Sequence, residues 1–205
     1  MAGLGSPLVR SLSVVLAAGV LVATPSTAQA RTYVHADPRG DMTEVSVSPY
    51  ETRPAVRNGD LIRIRAQHTR SRVKVRLVFA ELQQTSIVFG TDYRFWTPDG
   101  KVRAVHFEAQ PGSWRGRGFM SFLNGGARIR CAMHYASDYA QDVIVLGFSR
   151  RCLKSPRWVR ISASMTTSVP DGSGMGFPPI YADNAQRTGI VNAIHNNPTP
   201  RLRRG

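Results

Sequence analysis

Cysteine is scarce in this 205-residue chain: only Cys131 and Cys152 occur. Two cysteines cannot complete a structural zinc site, and His134 beside Cys131 does not make up the set. They are far apart in sequence, unlike the close C-x-x-C of a redox pair. Long apolar runs are missing too. No stretch reaches the roughly 18 residues that cross a bilayer, which excludes a polytopic membrane protein. Acidic residues are few, 13 against 27 Lys and Arg, so the formal charge is +14. The chain also lacks G-x-S-x-G, H-E-x-x-H and a phosphate-cradling glycine loop, so catalysis has little support and no cofactor is expected. What is present, 42% hydrophobic and 20% charged residues, is ordinary for a globular protein and too apolar for a disordered one. The length suits one domain, or at most two small ones.

Residues 1–30 read as a signal peptide. Arg10 is their only charged side chain, Val14 to Ala23 is wholly Val, Leu, Ala and Gly, and Ala28-Gln29-Ala30 offers the small-x-small pattern that a signal peptidase accepts. Cleavage near Ala30 leaves Arg31 to Gly205 with a formal charge of +13, one Arg fewer, secreted and without a membrane span. In that compartment disulfides persist, and a Cys131–Cys152 bond is expected. Loop entropy gives such a bond about 3 kcal/mol.

Period-two alternation recurs along the middle of the chain. Ile62 and Ile64 alternate with Arg63 and Arg65; Val73, Val75, Leu77 and Phe79 alternate with Arg72, Lys74 and Arg76. Similar patterns run through 44–47, 105–108, 128–134 and 158–165, and Val143 to Phe148 is continuously apolar, as a strand covered on both faces would be. Turn signals separate them: Asn58-Gly59-Asp60, Pro98-Asp99-Gly100, Pro111-Gly112-Ser113 and Asn124-Gly125-Gly126. The pattern predicts an all-β fold, an immunoglobulin-like or jelly-roll β-sandwich over residues 31–168. Cys131 shares a face with Ile129 and Met133, so the disulfide should be at least partly buried. Residues 169–205 are rich in Gly, Pro and Asn and predict an irregular tail, draped on the sandwich through Tyr181, Ile190, Val191 and Ile194 and fraying at its end.

The basic excess has a definite placement. Segments 61–66 and 72–79 predict a hairpin, in which directly opposed residues share a face. Keeping Ile62, Ile64, Val73 and Val75 together requires paired numbers with an odd sum. A sum of 137, for example, sets Arg65 against Arg72 and Arg63 against Lys74. Arg63, Arg65, Arg72, Lys74 and Arg76 then form one basic face, a candidate polyanion-binding surface. Its alternatives are relief by an acid such as Glu44, or a solvated face with screened repulsion. Arg outnumbers Lys 24 to 3, a skew that the codon bias of a GC-rich genome also produces.

Other features carry less. Trp114-Arg115-Gly116-Arg117-Gly118 reads as a flexible loop able to stack on bases or sugars, or as a plain hairpin connection. Trp158 lies on the polar side of its strand with Arg160, as a surface platform or, the favoured reading, under the tail. Asp37, Asp41 and Glu44 are close enough for a calcium site but lack the EF-hand spacing, so no metal ligand set is assigned. Arg39-Gly40-Asp41 matches an adhesion tripeptide and is given no weight. The five histidines, His35, His68, His106, His134 and His195, are scattered, and no catalytic residue is assigned.

At Cys152-Leu153-x-x-Pro156-Arg157-Trp158-Val159-Arg160, at Tyr181-Ala182-Asp183-Asn184, at the terminal Arg201-Leu202-Arg203-Arg204-Gly205 and at the opening Ala36-Asp37-Pro38-Arg39-Gly40-Asp41, the chain resembles small secreted actinobacterial proteins of unknown function. The resemblance implies an exported, disulfide-stapled β domain and brings no catalytic or binding residue with it. The expected function is a secreted, non-catalytic β-sandwich that binds an anionic cell-envelope polymer or an extracellular protein, with nucleic acid still open. The alternatives are a protein-binding or inhibitory module acting through the loop Gln110 to Gly118, and a small hydrolase.

Overall fold

The computed structural model describes residues 31–46, 51–52, 55–123, 126–168, 178–186 and 197–205. The signal-peptide segment lies outside them, as do Ile190, Val191, Ile194 and His195. The fold is all-β: two antiparallel sheets pack against each other. The first sheet has five strands in the order β1 (Arg31–Ala36), β4 (Leu61–His68), β5 (Arg72–Phe79), β11 (Val143–Ser149) and β10 (Met133–Asp138). The second runs β3 (Glu51–Thr52), β2 (Thr43–Glu44), β13 (Ile180–Asn184), β12 (Trp158–Ser168), β6 (Val88–Trp96), β7 (Val102–Gln110), β8 (Ser113–Phe122) and β9 (Arg128–Ile129), with β14 (Leu202–Arg203) also paired to β12.

Alternation builds the core. Along β5, Val73, Val75, Leu77 and Phe79 are buried while Arg72, Lys74 and Arg76 are exposed. The facing side chains meet as aromatic pairs: Phe95 of the larger sheet packs edge-on against Phe148 of the smaller at 5.1 Å, and Phe107 stacks on Tyr135 at 4.1 Å. Such pairs add about 0.5–1.5 kcal/mol to the area they bury. Strand β11 is paired on both edges, yet its apolar run is not covered on both faces. Ile144, Leu146 and Phe148 face the core, whereas Val145 and Gly147 are only half-buried on the outer side.

The segment Trp114 to Gly118, expected as a loop, is strand β8. Its glycines are there for packing. Phe107 and Tyr135 need room between the sheets, and a Cβ on Gly116 would fall inside the Phe107 ring. Gly116 also has φ +65°, a conformation that L side chains rarely adopt.

The C-terminal segment is more regular than its composition suggests. β13 lies inside the larger sheet between β12 and β2, so residues 180–184 belong to the sandwich. The end of the chain, expected to fray, is pinned. Leu202 is buried in the core, its carbonyl accepts from His68 Nδ1 at 2.9 Å, and the Gly205 N–H donates to the His68 carbonyl. Trp158 is half-buried beside β14, with the Arg201 guanidinium 4.8 Å over its ring, consistent with its expected place under the tail.

The expected disulfide is present. Cys131 and Cys152 are bonded with their Cα atoms 5.6 Å apart, tying the β9–β10 connection to the 3-10 turn Arg150–Leu153 that follows β11. Both cysteines are partly buried against the core, next to Ile129 and Met133.

Candidate functional site

The β4–β5 hairpin sets the basic face. Its register has an odd sum, 141 rather than 137: Arg65 opposes Arg76, Gln67 opposes Lys74, and Arg63 opposes Val78. The turn lies two residues later than expected because β4 continues to His68. Thr69 then closes the turn, its Oγ1 accepting the N–H groups of Ser71 and Arg72. The expected pairs Arg65–Arg72 and Arg63–Lys74 therefore do not form. A bulge between Leu61 and Arg63 also moves Ile62 out of the core and puts Leu61 in its place, fully buried. The face itself survives both changes: Arg63, Arg65, Arg72, Lys74 and Arg76 are all exposed on the outer side of the five-stranded sheet.

No acid sits among them. Glu44, offered as a neutralising partner, is on β2 of the other sheet and buried. Among the described residues, the outward positions of these five strands hold one carboxylate, Asp138, at the far end of β10. Its Oδ1 is occupied by the N–H groups of Ala140 and Gln141. The Arg65–Arg76 pair costs roughly 0.2–1 kcal/mol of repulsion, and no ion pair among the described residues relieves it.

The face also has a relief. Gly147 lies between Lys74 and His134 in one cross-strand row, and space opens above it where a side chain would stand. The result is an open groove of about 750 Å³, bordered by Arg72, Lys74, His134, Ala136 and Val145. Two cations on one wall and a histidine on the other make it suited to an anionic group, with the remaining arginines alongside to follow an extended chain.

No family model, curated protein or solved structure matches this chain. Its chemistry must therefore be read from its own residues.

Two other polar constellations are built into the fold. Asp92 and His106 are cross-strand partners on β6 and β7, with His106 Nδ1 2.9 Å from Asp92 Oδ1 and Nε2 3.9 Å from Glu108. The Asp92 hydrogen bond raises the His106 pKa, aided by the charges of Asp92 and Glu108, against partial burial. Ser164 lies across from Asp92 on the side away from His106. The row thus runs Ser, Asp, His, which is not the nucleophile–base–acid order of a hydrolase. The other described histidines do not converge on it: His68 is buried against the C-terminal strand, His35 stacks on Tyr33, and His134 borders the basic groove.

The second constellation is acidic. Asp37 follows β1, Asp41 precedes β2, Asp60 precedes β4, and Asp183 lies on β13. A carboxylate oxygen from each of Asp37, Asp41 and Asp183 lies within 4.8 Å of the other two. Asp60 flanks them, its Oδ2 accepting the Gly40 N–H at 3.0 Å. Both oxygens of Asp183 accept backbone N–H groups, from Leu61 and Asn184, each at 2.6 Å. Burial, reinforced by the neighbouring carboxylates, pushes Asp37 up to about 9, Asp183 to about 8 and Asp41 to about 6. Burial also raises Asp60, against the Gly40 hydrogen bond and the charges of Arg39 and Arg57. Of the carboxylates singled out in the sequence, Asp37 and Asp41 are in this cluster and Glu44 is not. Asp60 and Asp183 went unnoticed because they are distant in sequence, Asp60 inside a turn motif and Asp183 inside a strand.

Proposed function

We propose that the protein is an exported, non-catalytic β-sandwich whose basic sheet face binds an anionic polymer of the cell envelope. The observation that carries this reading is the outward row Arg63, Arg65, Arg72, Lys74 and Arg76, exposed and without an opposing acid, beside the groove over Gly147. A polyanion supplies the charge the fold withholds, and an extended polymer can reach several cations at once. Export is supported by the disulfide, which persists in oxidising compartments, and by the signal-peptide pattern of residues 1–30. No helix among the described residues is long and apolar enough to cross a membrane. The loop-mediated inhibitory reading loses its main support, because the segment it relied on is strand β8.

The test is binding of the Arg31–Gly205 protein to poly(glycerol phosphate) immobilised on a surface, with neutral dextran and double-stranded DNA in parallel. Retention on poly(glycerol phosphate) and not on dextran is the expected result. Between 50 and 200 mM salt the affinity should fall roughly 10²-fold if four to five charges release counterions. Equal retention on dextran would contradict the proposal, and marked preference for DNA would transfer the face to nucleic acid.

A further inference from the structure

The aspartate cluster stands apart from the basic face and calls for a cation. Asp37 is 7% exposed, and neither of its carboxylate oxygens has a hydrogen-bond partner. Asp60 is 1% exposed, and its Oδ1 is likewise unpartnered, as is Asp41 Oδ1. Four buried carboxylate oxygens in this cluster therefore lack donors, and Asp37 and Asp41 each bring a carboxylate oxygen within 4.8 Å of Asp183. An unpaired buried carboxylate is among the most costly groups a protein can hold. Backbone donors orient two of the four: Leu61 and Asn184 each hold one oxygen of Asp183, and Gly40 holds Asp60 Oδ2 while leaving Oδ1 without a donor. Asp183 and Asp60 are thus oriented by backbone hydrogen bonds, as outer partners orient metal ligands.

We propose that Asp37, Asp41 and Asp183, with Asp60 alongside, form a calcium site that clamps the two sheets together. The donors are all hard oxygens, with no nitrogen or sulfur among them, which favours Ca²⁺ over transition metals. The spacing fits. Two oxygens on opposite sides of an ion at about 2.4 Å are about 4.8 Å apart, and the three carboxylates lie within that limit. Water completes the shell of six to eight oxygens. Besides the loop between β1 and β2, the ion would join elements far apart in sequence, the start of β4 and strand β13. Asp37 extends β1, and its N–H donates to the Ile62 carbonyl; Asp60 leads into β4 of the same sheet; Asp183 lies within the larger sheet. Loop 37–42, which carries the chain from one sheet to the other, would be fastened at both ends. The Arg39-Gly40-Asp41 tripeptide is then part of this loop's architecture, with Gly40 serving Asp60 and Asp41 serving the ion.

The experiment is calcium titration of the chelator-treated protein by calorimetry, together with thermal melts in 10 mM CaCl₂ and in NaCl of equal ionic strength. The expected result is one Ca²⁺ per chain and a Tm about 5–10 °C higher in calcium than in NaCl. That shift corresponds to an affinity near 10⁻⁴ M, in the range of extracellular calcium modules. Asp37→Asn should abolish both the uptake and the shift, while its calcium-free Tm stays level with the parent's or rises, because the neutral amide keeps the shape of the buried carboxyl without an ionisable group to bury. Should that variant not fold, Asp41→Asn at the half-buried position tests the same point. No calcium uptake by the parent, or a shift that persists in both variants, would overturn the site and leave a cluster that keeps its protons.

Discussion

Replacing Cys131 and Cys152 by serine is expected to lower the stability of the Arg31–Gly205 protein by about 3 kcal/mol. The bond closes a loop that spans 21 residues of sequence and includes all of β10 and β11. Strand β10 is at the edge of the smaller sheet, with β11 as its one neighbour there. Without the cross-link, the unfolded chain regains the freedom of that loop, and the edge strand loses its tether to the turn Arg150–Leu153. For a domain of this size the loss corresponds to a Tm lower by roughly 6–12 °C. Thermal melts of the parent and the double variant, without reductant, measure it. A difference under about 1 kcal/mol would mean that β10 is held by packing alone, through Tyr135 against Phe107 and Tyr93.

The second large effect concerns Arg103, which is 1% exposed. Its Nη2 donates to Asp99 Oδ2 at 2.7 Å and its Nη1 to Thr97 Oγ1 at 2.6 Å, and its guanidinium lies 5.6 Å from the Phe122 ring centroid. The partners come from the β6–β7 turn, where the Gly100 N–H donates to the Thr97 carbonyl and Gly100 takes φ +71°. Asp99→Ala would strand a buried guanidinium. Breaking a buried pair costs 3–5 kcal/mol; because Asp99 is 35% exposed, about 2–3 kcal/mol is expected here. The double variant Asp99→Ala with Arg103→Met should recover most of that loss, since neither charge is then left alone. The hydrogen bonds from Arg103 hold the Asp99 pKa well below its ordinary 3.8. A depressed carboxylate stabilises the fold above its unfolded pKa and ceases to do so as the pH falls toward its folded one. The gap between parent and Asp99→Ala should therefore be full at neutral pH and narrow as the pH drops below 3.8. Denaturant unfolding across that range checks it. A gap independent of pH would mean that lost packing, not lost charge, causes the defect.

Much of the fold was legible in the sequence because period two is a local signal. In β5 every second residue is apolar, and each of those side chains is in the core. The disulfide followed from the same logic, with Cys131 in phase with Ile129 and Met133. What escaped depends on distant contacts. Gly116 and Gly118 suggest a flexible loop until the Phe107 ring is seen to need the missing side chain of the first, and the Tyr135 ring and His106 carbonyl that of the second. The composition of residues 169–205 suggests a loose tail, but β13 is held by pairing on both sides and Leu202 by the core. The basic face was legible in membership but not in register, because alternation fixes which side a residue takes and only the turn fixes its partner. The aspartate cluster was half-legible: Asp37 and Asp41 are neighbours in sequence, but only the sheet-to-sheet packing brings Asp60 and Asp183 to them.

The central claim is that the face of β4 and β5 binds a polyanion through its cations. The most direct measurement is the slope of log affinity against log salt for poly(glycerol phosphate), taken on the parent and on the triple variant Arg65→Ser, Arg72→Ser, Arg76→Ser. Each phosphate contact contributes about −0.7 to −0.9 to that slope. The parent should give about −4, and the variant should lose two to three units of slope together with most of its affinity. Its stability should change by less than about 0.5 kcal/mol per exposed site, and the removal of the Arg65–Arg76 opposition acts in its favour. A triple variant that binds as tightly as the parent, with the same slope, would contradict the account and leave the arginine excess as a solvated surface.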